Sequence, residues 1–527
     1  MRDLSEPAHV SSSGLIRRVL LGAASNYIGK VITLGTWLFL TPFILHQLGP
    51  SDYGLWVLTG SVVSYGSLLD LGIAGAIVKY VAEHRARGEY ERGHAVVATA
   101  LLLYLGLGAL VLLASAMCAP LFPAWFHIAE SDAPRARWLV LLMGASVALS
   151  LPGAAVNALL QGLQRYDLAN LVTTGGVLLS ALAAVIALNS GGGLVLMVAA
   201  NIPVAVAALV VGLLLSRRAA PDLRPGFAGG ARSLVRPILS FSWSVFVLRA
   251  ATYLQARTDE IVIGVFLPVS AIAPYSIAHR LSDLTSTATE QLLKVFPALA
   301  SELHARDEPA RLKLFYTSAT RLSLAIAVPV GCTLVMLAKP ILTAWVGAEF
   351  ADHQDLVVVL TLAAVVDLSV WPAGAVLQGM ARHRPLAPMA LAAGIANLVI
   401  SIVLVTRLGP LGVAIGTLIP AAFEVSVLVL PYTLRAVRMS VRRWMREVLV
   451  PVLGPVLPQG LVLGAASYAL PTMSVPVLVG VASAGLLVYA TAYLALGAGG
   501  VERRAGAALF SGLLNTRLGL GGRRAPR

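Results

Sequence analysis

Along the chain, long apolar runs alternate with short stretches of Gly, Pro and charge. Many runs reach the roughly 20 residues that a helix needs to cross a hydrocarbon core. Their spacing predicts 14 helices, at about 22–47, 53–78, 94–117, 138–160, 168–188, 193–215 and 237–267, then at about 274–300, 314–338, 356–379, 386–406, 410–433, 448–470 and 475–497. Only the seventh and eighth are blurred, by Arg257, Asp259 and Glu260. The expected fold is all-α, a polytopic membrane protein of about 14 transmembrane helices. Composition agrees: 58% of the 527 residues are apolar, 12% are charged, and the mean hydropathy is +0.83. A soluble domain is nearer half apolar and a quarter charged, so a soluble globular enzyme is excluded, as are disorder and coiled coil.

Charge then orients the helices. The chain has 39 Lys and Arg against 25 Asp and Glu, a net charge of +14. Thirty basic residues fall in loops and tails on one side, and only Arg135, Arg137, Lys339 and Arg407 on the other. Such an asymmetry, renewed at every second loop, is a topology signal and not a nucleic-acid signal. It places both termini in the cytoplasm, and the first polar stretch, through Arg17 and Arg18, reads as a cytoplasmic tail without a cleavage site. The Arg-rich tail after Val501 fits anionic membrane lipids.

An internal echo divides the chain. Leu160-Gln161-Gly162 recurs as Leu377-Gln378-Gly379, and Ile202-Pro203 as Ile419-Pro420, both at an offset of 217. Gly193 corresponds to Gly412, and Leu48 to Leu267, at an offset of 219. Six helices return the chain to its starting side, so the copies share one orientation about an axis along the membrane normal. The expected layout is an N-terminal lobe at 1–216, a cytoplasmic linker at 217–236, a C-terminal lobe at 237–434, and two extra helices with a basic tail at 435–527. Two pseudo-symmetric six-helix lobes leave a central cavity, a scaffold for alternating access.

A charge at the bilayer centre costs about 2.5–3.5 kcal/mol even on lenient scales, so it should face protein or water. Asn26, Lys30, Thr33, Trp37 and Thr41 share one face of the first helix. Ser242, Phe246, Arg249, Tyr253, Arg257 and Glu260 share a face of the seventh, and the eighth carries Arg280, Asp283, Thr287, Glu290 and Lys294. Lys30 and Arg249 are repeat mates at an offset of 219. Two symmetry-related cations imply an anionic ligand, with Arg offering a planar fork for phosphate and Lys a point charge. The bland alternative is a structural ion pair or snorkelling, and for Arg257 and Arg280 it weighs equally. Asp70, Asp283, Glu290, Asp367 and Glu424 are candidates for ion coupling or counter-ions to those cations.

Other chemistry is missing from the sequence. No Walker A loop surrounds Gly29-Lys30, no HExxH motif occurs, and Cys118 and Cys332 alone build neither a disulfide framework nor a thiolate metal site. No cofactor, metal or catalytic residue is expected. Pro42, Pro203, Pro297, Pro329 and Pro420 fall within the expected helices as candidate hinges.

The stretch from Asn26 through Leu48-Gly49-Pro50-Ser51-Asp52-Tyr53-Gly54-Leu55-Trp56 to Leu69-Asp70-Leu71-Gly72-Ile73 resembles the amino-terminal signature of polysaccharide biosynthesis flippases. Leu160-Gln161-Gly162-Leu163-Gln164-Arg165-Tyr166, Asp259-Glu260-Ile261-Val262-Ile263-Gly264 and Tyr275-Ser276-Ile277-Ala278 are similar to further motifs of that family. These are the Wzx-type oligosaccharide-lipid translocases of the multidrug/oligosaccharidyl-lipid/polysaccharide exporter superfamily. The resemblance covers about residues 15–497. It implies a transporter, not an enzyme, in a bacterial inner membrane. Its cargo would be undecaprenyl-pyrophosphate-linked oligosaccharide, moved from the cytoplasmic to the periplasmic leaflet, with a polysaccharide polymerase and a chain-length regulator as partners. The family's lumen cations fall most naturally on Lys30 and Arg249. Alternatives are a flippase for a lipid-linked peptidoglycan precursor, a multidrug exporter of the same superfamily, and, from another class, an integral-membrane polymerase or ligase. The last normally needs a large periplasmic catalytic loop, which the short outer loops around 118–137 and 339–355 do not supply.

Overall fold

The computed structural model describes residues 12–221, 231, 233–236, 238, 258–293, 296–470 and 472–497, with side chains from Ile28 onward except those of 288, 290–293, 298 and 497. Among the described residues, 11 helical stretches are long and apolar enough to cross a membrane. Hydrocarbon offers the backbone no hydrogen-bond partners, so each passage must satisfy its own amides, and the helix does so within one segment. The chain is an all-α, multi-pass membrane protein. Its contacts divide it into two compact units, residues 1–273 and 274–527.

The first unit opens with α1 (Ser12–Ser64), broken at Gly49, whose φ of 75° and ψ of 170° lie outside the helical region. Trp37 and Trp56 stack across this break with ring centroids 6.2 Å apart. Nineteen residues of straight helix would separate them by about 28 Å, so the chain doubles back at Gly49. A side chain at this φ would clash with its own backbone, and Pro50 starts the returning leg.

The second expected helix, 53–78, is interrupted. The returning leg ends in a 3₁₀ turn at Tyr65–Asp70, and left-handed Leu71 and Gly72 precede α2 (Ile73–Ala86). Ser64 and Ser67 bond back to the carbonyls of Ser61 and Ser64 at 2.7 and 2.5 Å, competing with the helical ladder. Then follow α3 (Tyr90–Cys118), α4 (Ala133–Gly162), α5 (Tyr166–Asn189), a short helix at Gly193–Ala199, and α6 (Asn201–Ala219). Helix α3 packs on α4, α4 on α6, and α1 on α5, around a core that includes Ile73, Ile77, Val96, Leu101, Tyr104 and Leu159. Residues 258–266 are helical and close this unit against α1. Tyr65 Oη lies 2.8 Å from Thr258 Oγ1, and Gly54 leaves no room for a Cβ beside the Val269 carbonyl.

The second unit runs through α7 (Ile272–Leu293), α8 (Phe296–Ala305), α9 (Pro309–Met336), α10 (Gln354–Leu368), α11 (Trp371–Gly379), α12 (Leu386–Leu408) and α13 (Pro410–Phe423). A π-helical turn at Glu424–Val429 leads into α14 (Leu430–Ala436), and α15 (Val456–Ala469) and α16 (Val475–Ala492) follow. Fully buried Gln459 donates to the Pro329 carbonyl at 2.8 Å and to Thr333 Oγ1 at 3.1 Å, tying α15 to α9. Pro42, Pro329 and Pro420 do sit inside helices. Pro203 follows a one-residue break at Ala200 within the span Gly193–Ala219, the place where a helix bends, and Phe296-Pro297 directly follows residues outside the description.

The internal echo has a structural counterpart in each unit. Helix α4 ends with Arg165 N donating to the Leu160 carbonyl at 2.9 Å across left-handed Gln164; α11 ends with Arg382 N donating to Leu377 at 2.8 Å across left-handed Ala381. Both are Schellman-type caps. Gly162 presses on Val81 as Gly379 presses on Ala300. The turns before α3 and α9 also match at an offset of 219. Arg87 pairs with Glu83 at 2.8 Å, and Arg306 with Glu302 at 2.6 Å. Glu89 and Glu308 precede α3 and α9, paired to Arg92 at 3.2 Å and Arg311 at 3.0 Å. The hydrogen bond from His84 holds the Glu89 carboxyl below its ordinary range, so this pairing fades only in acid.

Two substitutions test this packing. Helices α12 and α13 meet at Gly412 and Gly416, four residues apart, where a Cβ on Gly416 would overlap the Ser401 hydroxyl and lie 2.8 Å from its backbone nitrogen. Gly416→Val should cost about 1–3 kcal/mol by forcing the helices apart, read as a lowered melting temperature in detergent. Gly460→Ala, in open space, should stay within about 0.5 kcal/mol. Ala381→Gly should raise the melting temperature or leave it unchanged, because a left-handed L-residue costs about 1–2 kcal/mol that glycine is spared; Ala381→Val should lower it.

Candidate functional site

Lys30 lies on the first leg of α1, 19 residues or about 28 Å before Gly49. Its side chain is half-buried. Thr33 and Thr36 flank it, each hydroxyl donating to its own helix, to Gly29 O at 2.9 Å and Ile32 O at 2.8 Å. Gly29 admits α5, since a Cβ there would sit 2.8 Å from Thr174 Oγ1. Asn26 shares the helix, with its side chain outside the description. Arg249, Tyr253, Arg257 and Lys294 lie outside the described residues. Arg280 sits half-buried on α7, one residue beyond His279.

The acidic candidates separate into three environments. Asp70 is 6% exposed, accepts the Tyr104 hydroxyl, and takes the Ala74 amide at 3.4 Å. It thereby anchors the start of α2 to α3, a structural task beside any part in coupling. Asp283 is exposed, with His279 Nδ1 at 3.7 Å, and the Glu290 side chain lies outside the description. In the second unit, Asp367 on α10 is exposed and accepts the Trp371 indole N–H at 2.9 Å. Glu424 opens the π-helical turn, half-buried and within electrostatic reach of Asp367. A π turn displaces one carbonyl from the helical ladder, and such turns recur at functional sites. Among the described residues, no group of three or more His, Cys, Asp or Glu side chains could hold a metal ion.

The first unit also contains a cavity of about 930 Å³. It is walled by α1, α2, α4, α5 and α6, and reaches Trp37, Trp56, Asp70, Asn157, Gln161 and Asn201. Of these, Asp70 was singled out above as a candidate carboxylate and Trp37 on the polar face of the first helix. Asn157 and Gln161 are four apart on α4 and joined by a 2.6 Å hydrogen bond, while Thr173, Gly176, Ser180 and Ala184 line α5 at helical spacing. That spacing of small and neutral polar residues was the available signal.

The chain is similar over most of its length to curated membrane proteins. It is 23% identical to the Bacillus subtilis membrane protein EpsK over 400 residues, covering 72% of this chain and 76% of that protein. It is 22% identical to the probable flippase AglR of Haloferax volcanii over 405 residues, covering 75% and 77%. Among solved structures, the lipid II flippase MurJ in an inward closed conformation superposes with a TM-score of 0.67 at 13% identity, covering 90% of this chain and 98% of that one. An inward-facing multidrug resistance MATE family transporter of the MOP superfamily gives 0.63 at 16% identity, covering 78% and 98%. Both share its fold. The model of the polysaccharide biosynthesis protein family matches residues 47–355, and to that family the chain belongs.

Proposed function

We propose that the chain is a flippase that moves undecaprenyl-pyrophosphate-linked oligosaccharide repeat units from the cytoplasmic to the periplasmic leaflet by alternating access, for assembly of a cell-surface polysaccharide. The observation that carries this reading is a half-buried lysine on the first membrane-spanning helix, in a family of polysaccharide biosynthesis proteins. A pyrophosphate headgroup cannot cross hydrocarbon bare, because an unpaired buried charge is prohibitively costly. Lys30 and its repeat mate Arg249 supply the compensating charge, Arg280 and Arg257 extend it, and Asn26 and Tyr253 offer neutral hydrogen bonds along the same stripes. The names of relatives, including AglR and a putative O-antigen transporter of Salmonella typhi, support the same reading.

Movement against a gradient needs a source of energy, and we assign ion coupling to Asp367 and Glu424. One carboxylate is exposed and the other half-buried at a π turn within its electrostatic reach, so binding of a proton or sodium ion relieves their repulsion. In this reading the membrane is the bacterial inner membrane, both termini are cytoplasmic, and a polysaccharide polymerase and chain-length regulator receive the product.

Two experiments test the proposal. In proteoliposomes given fluorescent undecaprenyl-pyrophosphate-linked oligosaccharide, the double variant Lys30→Gln with Arg249→Gln should lose transport while inserting and melting like the parent; full transport by that variant refutes the assignment. Lipid-linked peptidoglycan precursor in parallel vesicles identifies the other flippase reading if it alone moves. Imposing a proton or sodium gradient should accelerate transport by the parent several-fold, and Glu424→Gln should remove that acceleration while leaving gradient-free exchange. Equal rates with and without either gradient eliminate the coupling role.

A further inference from the structure

The cavity of the first unit has a chemistry of its own. Among the described residues, Asp70 is the one charged residue in its lining, and no Lys or Arg borders it. A phosphate would meet no cation there and one carboxylate. Its hydroxyls are turned in a consistent sense: Thr36 donates to Ile32 O at 2.8 Å, Ser150 to Val147 O at 2.7 Å and Thr173 to Ala169 O at 3.0 Å. Each spends its single proton on its own helix and leaves oxygen lone pairs for the cavity. The amides add both kinds of group. Gln161 Nε2 donates to Asn157 Oδ1 at 2.6 Å, Asn157 Nδ2 to Ala169 O at 3.2 Å and Asn201 Nδ2 to Met197 O at 3.1 Å. The carbonyl oxygens and second N–H groups of Gln161 and Asn201 remain to accept and donate. Apart from Asp70 the described wall is uncharged and offers more acceptors than donors, and the complementary ligand is a neutral one rich in hydroxyl groups. At one end stand the paired indoles of Trp37 and Trp56, flat apolar surfaces of the kind on which the C–H faces of sugar rings stack. The volume of about 930 Å³ falls within the roughly 300–1,000 Å³ of pockets that enclose small organic ligands.

We propose that this cavity is a saccharide subsite, which takes neutral sugar rings of the lipid-linked substrate while the phosphate is held elsewhere. The inference rests on the flippase reading above and adds to it where the sugar goes. Trp37 follows Lys30 by seven residues on the same face of α1, about 10 Å along the axis, so one helix carries both the phosphate cation and the sugar platform. Polar side chains such as Asn157, Gln161 and Asn201 have no reason to line a void filled by lipid chains, where each unmet amide group is costly. Their selectivity would be for hydroxylated cargo over the bare carrier lipid.

The test uses full-length protein in nanodiscs and two probes: undecaprenyl pyrophosphate, and the lipid-linked oligosaccharide pool extracted from the source cells. The parent should bind the glycosylated pool about tenfold or more tightly than undecaprenyl pyrophosphate. Asn157→Leu with Asn201→Leu should bring that ratio close to one without changing affinity for undecaprenyl pyrophosphate. Ser180→Trp, which fills the cavity and removes no amide, should do the same and guards against misfolding of the first variant; Trp37→Phe, which keeps an aromatic face, should retain most of the preference. A preference that survives in both cavity variants overturns the subsite, as does a parent that binds the two probes equally. Equal weakening of both probes by Ser180→Trp also overturns it, because the cavity then holds the polyprenyl chain. Failure of the parent to bind undecaprenyl pyrophosphate at all defeats the flippase reading itself, a result distinct from loss of the sugar preference alone.

Discussion

The constraint behind this structure is the absence of water in the bilayer core. A polar group there has to find its partner inside the protein, and the chain meets that demand at three scales. Backbone amides are satisfied within helices. Serine and threonine hydroxyls bond back to carbonyls three or four residues earlier, as Thr59 does to Leu55 and Thr333 to Pro329. Larger polar side chains are spent on joining helices: Tyr104 reaches Asp70, Gln459 reaches Pro329, and Ser401 and Asn397 bond within α12 and across to Thr417 on α13. Lys30 and the polar lining of the cavity are the groups to which the proposals above give work beyond holding the fold.

Glycine sets how near the helices come. Interhelical attraction in lipid relies on close packing, since lipid tails are as apolar as leucine. The chain accordingly places Gly144 against Ser115, Gly162 against Val81, Gly379 against Ala300, and Gly412 and Gly416 against α12. The duplicated position of Gly162 and Gly379, each two residues before a left-handed residue, marks the same joint built twice from diverged sequence.

Most of the helical layout was legible because hydropathy reports burial in lipid directly. Runs such as 94–117 and 386–406 needed only length and composition, and α3 and α12 fall close to them. The break at residues 65–72 was not legible. Its cause is local, two back-bonding serines and two left-handed residues, and none of them lowers hydropathy enough to interrupt a run. Asp70 was a candidate for ion coupling or a counter-ion; its hydrogen-bond partner Tyr104 is 34 residues away on another helix, and no local pattern discloses such a pair. The cavity was hidden for a related reason. Charge is conspicuous in an apolar sequence, whereas Asn157, Ser180 and Asn201 are quiet, and they acquire meaning only when three helices bring them together. The matched ion pairs at 83–92 and 302–311 were open to view in the sequence, yet they lie in the turns between helices, where charge is ordinary.

The reversal at Gly49 has a mechanical corollary. A single residue joins the two legs of α1, and the indoles of Trp37 and Trp56 clasp them below the bend. Because Gly49 leaves the joint itself free, the stacked indoles are what hold the legs side by side, and a tilt of the leg bearing Lys30 has either to part that stack or to carry with it the leg that leads to Asp70.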